Sequence, residues 1–208
     1  MNINPYINKI ETKVLKMKHI NGKTHVATKD HIIFDYDKLN SFHEEVYLNG
    51  KKVESIYQSS LGPIYVIDYT ELSEDVTLSL DYETRKKLLS SMTYRYLIPS
   101  ICKKYLDLKA YGFSTEKNLS AFRIDNIYYD HELNSILTNL ESVLKEYQKS
   151  GLDIITSTTD DGKLTKIDGI YKGRYICPHL ANLSELEGFQ VSHFNFTKNG
   201  LTIYYHNR

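Results

Sequence analysis

The sequence predicts an α+β protein. Residues 1–80 read as a β-rich part, a small barrel or strongly twisted sheet, and residues 81–208 as helices packed on an antiparallel sheet. Three observations predict this. Two Asn-Gly pairs sit between short strand-like segments in the first eighty residues, the strongest short-range hairpin signal. The character changes at Asp81, after which apolar residues recur at helical spacing. The chain closes on two more strand-like segments that turn at Lys198-Asn199-Gly200.

The elements follow in order. Segments 13–18 and 24–28 flank Asn21-Gly22, and segments 45–48 and 52–57 flank Asn49-Gly50. Residues 31–36, 64–69 and 76–80 read as further strands. From 84 to about 107, Leu88, Leu89, Met92, Tyr96, Leu97 and Ile101 mark a helix, which Pro99 is expected to kink or divide because it lacks an N–H. A strand-like piece covers 119–127. A second helix over 131–149 has Asp130 as its expected N-cap, Leu133, Ile136, Leu137, Leu140 and Leu144 as its buried stripe, and Gly151 as its stop. Residues 163–170, 173–176, 190–197 and 201–205 complete the sheet part.

Composition excludes several classes. With 208 residues the chain bounds one large domain or two small ones, and 41% hydrophobic and 25% charged residues suit a globular core. No apolar run approaches a membrane span, and the first thirteen residues lack the apolar core of a secretory signal. Two cysteines, Cys102 and Cys177, imply no disulfide framework and are compatible with a reducing cytoplasm, the expected location. Net charge is zero, so no global basic excess announces nucleic acid. Local basic clusters occur at Lys13, Lys16 and Lys18, at Arg85-Lys86-Lys87 and at Lys103-Lys104.

Four stretches, in order and at about the right spacing, resemble the AlaX family, the free-standing relatives of the alanyl-tRNA synthetase editing domain. Residues 31–53 (HIIFDYDKLNSFHEEVYLNGKKV) align without a gap on the family's Thr-x-Phe-Tyr-Pro-x-Gly-Gly-Gly-Gln-Pro-x-Asp-x-Gly segment and the strand turn after it. Residues 80–98 (LDYETRKKLLSSMTYRYLI) resemble Ile-Asp-Trp-x-x-Arg followed by Met-x-x-His-Thr-x-x-His-Leu-Leu. Residues 122–125 (FRID) resemble the strand between the helices, and residues 173–188 (GRYICPHLANLSELEG) resemble Cys-Gly-Gly-Thr-His-Val-x-Asn-Thr-x-Glu-Ile-Gly. Together they cover essentially the whole chain, and the resemblance implies an editing-like domain for residues 81–208.

In that family a His pair at i, i+4 on the helix and a later Cys-x-x-x-His hold zinc. The pocket around the metal supports hydrolysis of the ester joining a wrong amino acid, notably serine, to tRNA. Here the helical pair aligns with Met92 and Tyr96. A thioether and a neutral phenol are poor zinc ligands. His179 keeps its family position, while Cys177 stands two residues before it instead of four. The ligand set is incomplete, so the zinc expected from the family gives way to an expectation of no cofactor and no metal ligands. Met92 and Tyr96 are expected to pack in the volume the metal vacates.

The resemblance makes His179, Cys177 and Thr93 the candidate catalytic residues, and His31, Lys38, Ser41 and Arg85 the candidate substrate-binding residues. Lys38-Leu39-Asn40-Ser41 replaces the family's glycine-rich turn, and His31 replaces its strand Thr. Cys177 is weighed as a thiol nucleophile activated by His179, although residues two apart in the Cys-Pro-His segment are poorly placed as a direct pair. A metal site rebuilt from His31, His43, His179 and His193 is a further alternative. Asn182 and Glu185 read as turn and capping residues.

The expected function is an aminoacyl-tRNA editing-like protein that binds or deacylates the acceptor end of charged tRNA without the family's zinc. Its expected partner is therefore tRNA or aminoacyl-tRNA, with no membrane. Two alternatives stand beside it: a non-catalytic interaction protein on a retained editing-domain scaffold, and an aminoacyl-tRNA-dependent transfer enzyme.

Overall fold

The computed structural model describes residues 4–34, 44–116, 119–125, 130–160, 162–174, 177–198 and 200–207. It is an α+β structure of two compact units, Met1–Arg85 and Lys86–Arg208. The sequence placed the division at 80/81.

The first unit is a curled antiparallel half-barrel of seven strands: β1 (Lys9–Ile20), β2 (Lys23–Thr28), β3 (Val46–Leu48), β4 (Lys51–Lys52), β5 (Ser55–Ser59), β6 (Gly62–Asp68) and β7 (Asp75–Leu80). Their order is β4-β3-β7-β1-β2-β6-β5. Strand β1 serves two partners, pairing with β7 through residues 9–13 and with β2 through residues 14–20. A bulge between Val14 and Lys16 falls where the partner changes, and it leaves Leu15 exposed at 55%. Such a bulge bends its strand and increases the local twist, which curls the sheet. The core of this unit is a cluster of buried residues that includes Val26, Ile32, Val46, Leu48, Tyr65, Ile67 and Leu78.

Both Asn-Gly turns form as the sequence implies. Asn21 and Gly22 have φ of 51° and 75°, and Asn49 and Gly50 have 49° and 77°, the positive pair a two-residue turn demands. Segment 31–36 differs from expectation: its described residues, 31–34, form no strand. Ile32 and Ile33 are instead buried as core residues, and the Ile32 carbonyl accepts from Arg85.

Helix α1 (Tyr82–Ile101) begins under Asp81, whose carboxylate accepts from the Glu83 N–H and the Thr84 hydroxyl. Pro99 does not divide it. The α-helix continues to Ile101 and loosens into a π turn over Cys102–Leu106, closed by Asp107 at φ 53°. The sequence marks one apolar stripe, but Ser90, Ser91, Thr93, Tyr94 and Ile98 are buried as well. A helix can be enclosed this way when its polar side chains are satisfied.

The second unit supplies those partners. The Ser91 and Ser120 hydroxyls lie 2.6 Å apart, and the Asn207 amide donates to Ser91 Oγ and to the Lys87 carbonyl. Three α1 residues spaced four apart hold Glu187. Lys86 Nζ lies 2.7 Å from its carboxylate, Ser90 Oγ accepts from its N–H at 3.0 Å, and the Tyr94 hydroxyl donates to its carbonyl at 2.5 Å.

Beneath this lies a four-stranded antiparallel sheet in the order β13-β14-β9-β8: β8 (Ala110–Glu116), β9 (Leu119–Ile124), β13 (Phe189–Thr197) and β14 (Gly200–Asn207). Phe122, Tyr94, Phe189 and Tyr205 form an aromatic cluster on it, with ring separations of 4.8–5.9 Å. Helix α2 (Asp130–Ser150) buries Leu133, Ile136, Leu140 and Leu144 and ends at Gly151 with φ 58°. A separate three-stranded sheet is built from β10 (Ile155–Thr159), β11 (Gly162–Ile167) and β12 (Tyr171–Gly173). No helix among the described residues is long and apolar enough to cross a membrane.

Candidate functional site

The aligned positions on α1 and on the 177–188 segment meet within the second unit. Met92, Thr93 and Tyr96 are buried at 1%, 0% and 3% exposure. The Thr93 hydroxyl donates to the Leu89 carbonyl at 2.8 Å and accepts the Leu180 N–H at 3.1 Å. One side chain thus ties the helix to the residue after His179. Asn182 and Glu185 fix the other end as a capping box around the short 3₁₀ turn Leu183–Glu185, the turn and capping role expected of them.

His179 packs edge-on against Tyr96 with ring centroids 6.1 Å apart. Tyr96 in turn lies against Tyr171 at 4.9 Å. The Tyr171 ring folds back over Gly173, where a Cβ would approach its hydroxyl oxygen to 2.6 Å, so glycine permits this wall.

Both His179 ring nitrogens are engaged. Nδ1 lies 2.7 Å from the Leu180 carbonyl, which only accepts, so the ring proton sits on Nδ1. Nε2 is then an acceptor, 2.7 Å from the Thr156 hydroxyl on β10. Thr156 Oγ1 also lies 2.9 Å from Thr165 Oγ1 on β11, a buried hydroxyl directly across the strand pair. Burial pushes the His179 pKa below its ordinary value of 6.5. The Leu180 hydrogen bond opposes that shift, and the nearby charge of Lys163 adds to it. The arrangement holds a neutral imidazole with a fixed tautomer and presents Nε2 to a hydroxyl.

This donor set does not fit a zinc ion. Met92 and Tyr96 are poor ligands, and the His179 nitrogen that would bind metal bonds Thr156. Among the described residues no three His, Cys, Asp or Glu side chains converge. Cys177 is a half-buried free thiol. His193 stacks on Tyr204 at 4.2 Å along the β13 edge.

The remaining candidates belong to the first unit. Lys38 and Ser41, like His43, lie outside the described residues. His31 is half-buried in the segment before the buried Ile32. Arg85, a candidate substrate-binding residue from the sequence, is enclosed in the first unit. Its side chain is wholly buried, its Nε and Nη2 donate to the Glu44 carboxylate, and Nη1 and Nη2 reach the Pro5 and Ile32 carbonyls. Its guanidinium also lies 4.1 Å over the Phe34 ring. With four of its five N–H groups bonded and 0% of its side chain exposed, Arg85 is enclosed away from the surface where a phosphate would meet it. Burial pushes the Glu44 carboxyl pKa upward, against the pull of Arg85.

Sequence reasoning missed Thr156, Thr165 and Tyr171. Segment 155–159 (ITSTT) shows no apolar alternation, and all five residues are exposed. Its one signal was a run of β-branched and hydroxyl residues before the Gly162 turn. The site stands on its own residues, since no protein-family model and no curated protein matches this chain.

Proposed function

We propose that this chain handles the acceptor end of an aminoacyl-tRNA, binding it or hydrolysing its aminoacyl ester, without the zinc used by the family it resembles. The observation that supports this reading is the meeting of Tyr96 with His179 at 6.1 Å. These residues, far apart in sequence, align with two ligands of one metal in that family, and they face each other here. Thr93, retained in type, holds the backbone next to His179. A neutral imidazole with Nε2 as acceptor supplies a base in place of a metal-bound hydroxide.

The test is a filter-binding titration of the full chain with charged and uncharged alanine tRNA, alongside release of labelled serine from mischarged alanine tRNA. Binding that favours the charged form, or serine release faster than in the tRNA alone, is the expected result. Absence of binding at low salt together with absence of release overturns the reading.

A further inference from the structure

Thr156 is exposed on β10, yet its hydroxyl is held from two sides. Nε2 of His179 accepts its proton at 2.7 Å, and that leaves the buried Thr165 hydroxyl to donate to Thr156 Oγ1 at 2.9 Å. The second bond keeps the Thr156 proton directed at the imidazole. The Leu180 carbonyl, 2.7 Å from Nδ1, fixes the ring and stabilises positive charge on it. Lys163 stands opposite Thr158 in the next pair on the same sheet face, since Thr156 pairs with Thr165 and the face repeats every second residue. Thr156 and Lys163 therefore share one face of the small sheet, the base meets Thr156 there through Nε2, and the Leu180 carbonyl orients the imidazole from its other nitrogen.

We propose that Thr156 is a nucleophile that accepts an acyl group from an ester, with His179 as its base and Lys163 as the cation beside the developing oxyanion. Thr156 Oγ1 attacks the ester carbonyl as its proton passes to Nε2. The tetrahedral oxyanion collapses with cleavage of the bond to the leaving alkoxide, which takes the proton from Nε2. Water then attacks the Thr156 ester, gives one proton to Nε2 and releases the carboxylic acid, and Thr156 Oγ1 recovers its proton. The substrate class, an aminoacyl ester, rests on the reading above, whereas the covalent step does not.

The experiment treats the full chain with p-nitrophenyl acetate, follows nitrophenolate release and maps acetylation by peptide mass spectrometry. The expected result is an acetyl group on Thr156, with a rate lowered by about 100-fold or more in Thr156→Val and in His179→Gln. Thr156→Ser should retain both acetylation and release. Acetyl absent from Thr156, or a rate unchanged in Thr156→Val, overturns the proposal. Should the valine variant fail to fold, site mapping on the parent and on Thr156→Ser still decides. Acetylation of Thr156 in a protein that neither binds nor deacylates tRNA sinks the tRNA reading alone. Deacylation of tRNA that survives Thr156→Val sinks the nucleophile alone.

Discussion

Arg85 and Glu44 form an enclosed ion pair, with 0% and 7% of their side chains exposed. The same guanidinium takes the Ile32 carbonyl and covers Phe34, so one residue at the start of α1 joins the chain on both sides of positions 35–43. Removing one partner strands a charge in the core. Arg85→Met is therefore expected to cost about 3–5 kcal/mol in urea denaturation. The double variant Arg85→Met with Glu44→Leu should cost clearly less, because no unpaired charge remains. Equal losses would show that the pair contributes through packing alone.

His179 makes stability depend on pH with a defined sign. Its folded pKa lies below 6.5, so the unfolded chain binds the proton first as pH falls. The contribution is fully present above about 6.5 and is lost as pH falls towards the depressed folded value. A denaturation midpoint that declines over that window in the parent, and declines less in His179→Asn, is the expected outcome. An identical slope in both would place the dependence on another group.

If tRNA binds, its affinity should reside in phosphate contacts, and the burial of Arg85 narrows which cations can make them. Lys86 already lies against the Glu187 carboxylate. Lys38→Glu with Lys87→Glu should weaken binding and reduce the slope of log affinity against log salt by roughly 0.7–0.9 for each phosphate no longer neutralised. The parent fold should persist, as read by its melting midpoint. A slope unchanged by both substitutions places the nucleic acid on a different face.

Gly200 starts β14 at φ 118°, and a Cβ there would meet the Ile124 carbonyl oxygen at 2.2 Å. Gly200→Ala should destabilise by more than about 1 kcal/mol, since backbone strain and a backbone clash combine. Gly22→Ala, in open space at φ 75°, tests the strain without the clash and should cost less. A reversed order would mean that β9 gives way easily beside Gly200.

The sequence was most legible where backbone conformation demands a residue type. Asn21-Gly22 and Asn49-Gly50 turn as read because few residues tolerate positive φ, and Asp81 caps α1 because its short carboxylate reaches the first N–H groups. Legibility failed where partners are remote. Arg85 stood with its basic neighbours in the sequence and not with its partner, because Glu44 lies 41 positions away. The enclosure of Ser90, Ser91 and Thr93 was invisible for the same reason, since their partners Glu187, Ser120 and Leu180 come from distant segments. Strands β8 and β10 were missed because Gly112 interrupts one and the other has no buried alternate face. At the candidate site, the resemblance singled out His179 as an expectation, whereas nothing singled out Thr156, because only the folding of β10 against the 177–180 segment brings it there.

Of the three α1 side chains that hold residue 187, two address its main chain. Ser90 takes the N–H and Tyr94 the carbonyl, and only Lys86 depends on the carboxylate. Thr93 grips Leu180 in the same fashion, through its N–H. Selection therefore acts unevenly on the two sides of this interface. Substitutions at 180 or 187 leave the main-chain bonds in place, whereas each loss at 90, 93 or 94 orphans a buried group at a cost of about 1–3 kcal/mol. The helix side is thus bound by its side-chain chemistry at 90, 93 and 94, whereas residue 187 answers chiefly for its ion pair with Lys86 and Leu180 for its burial.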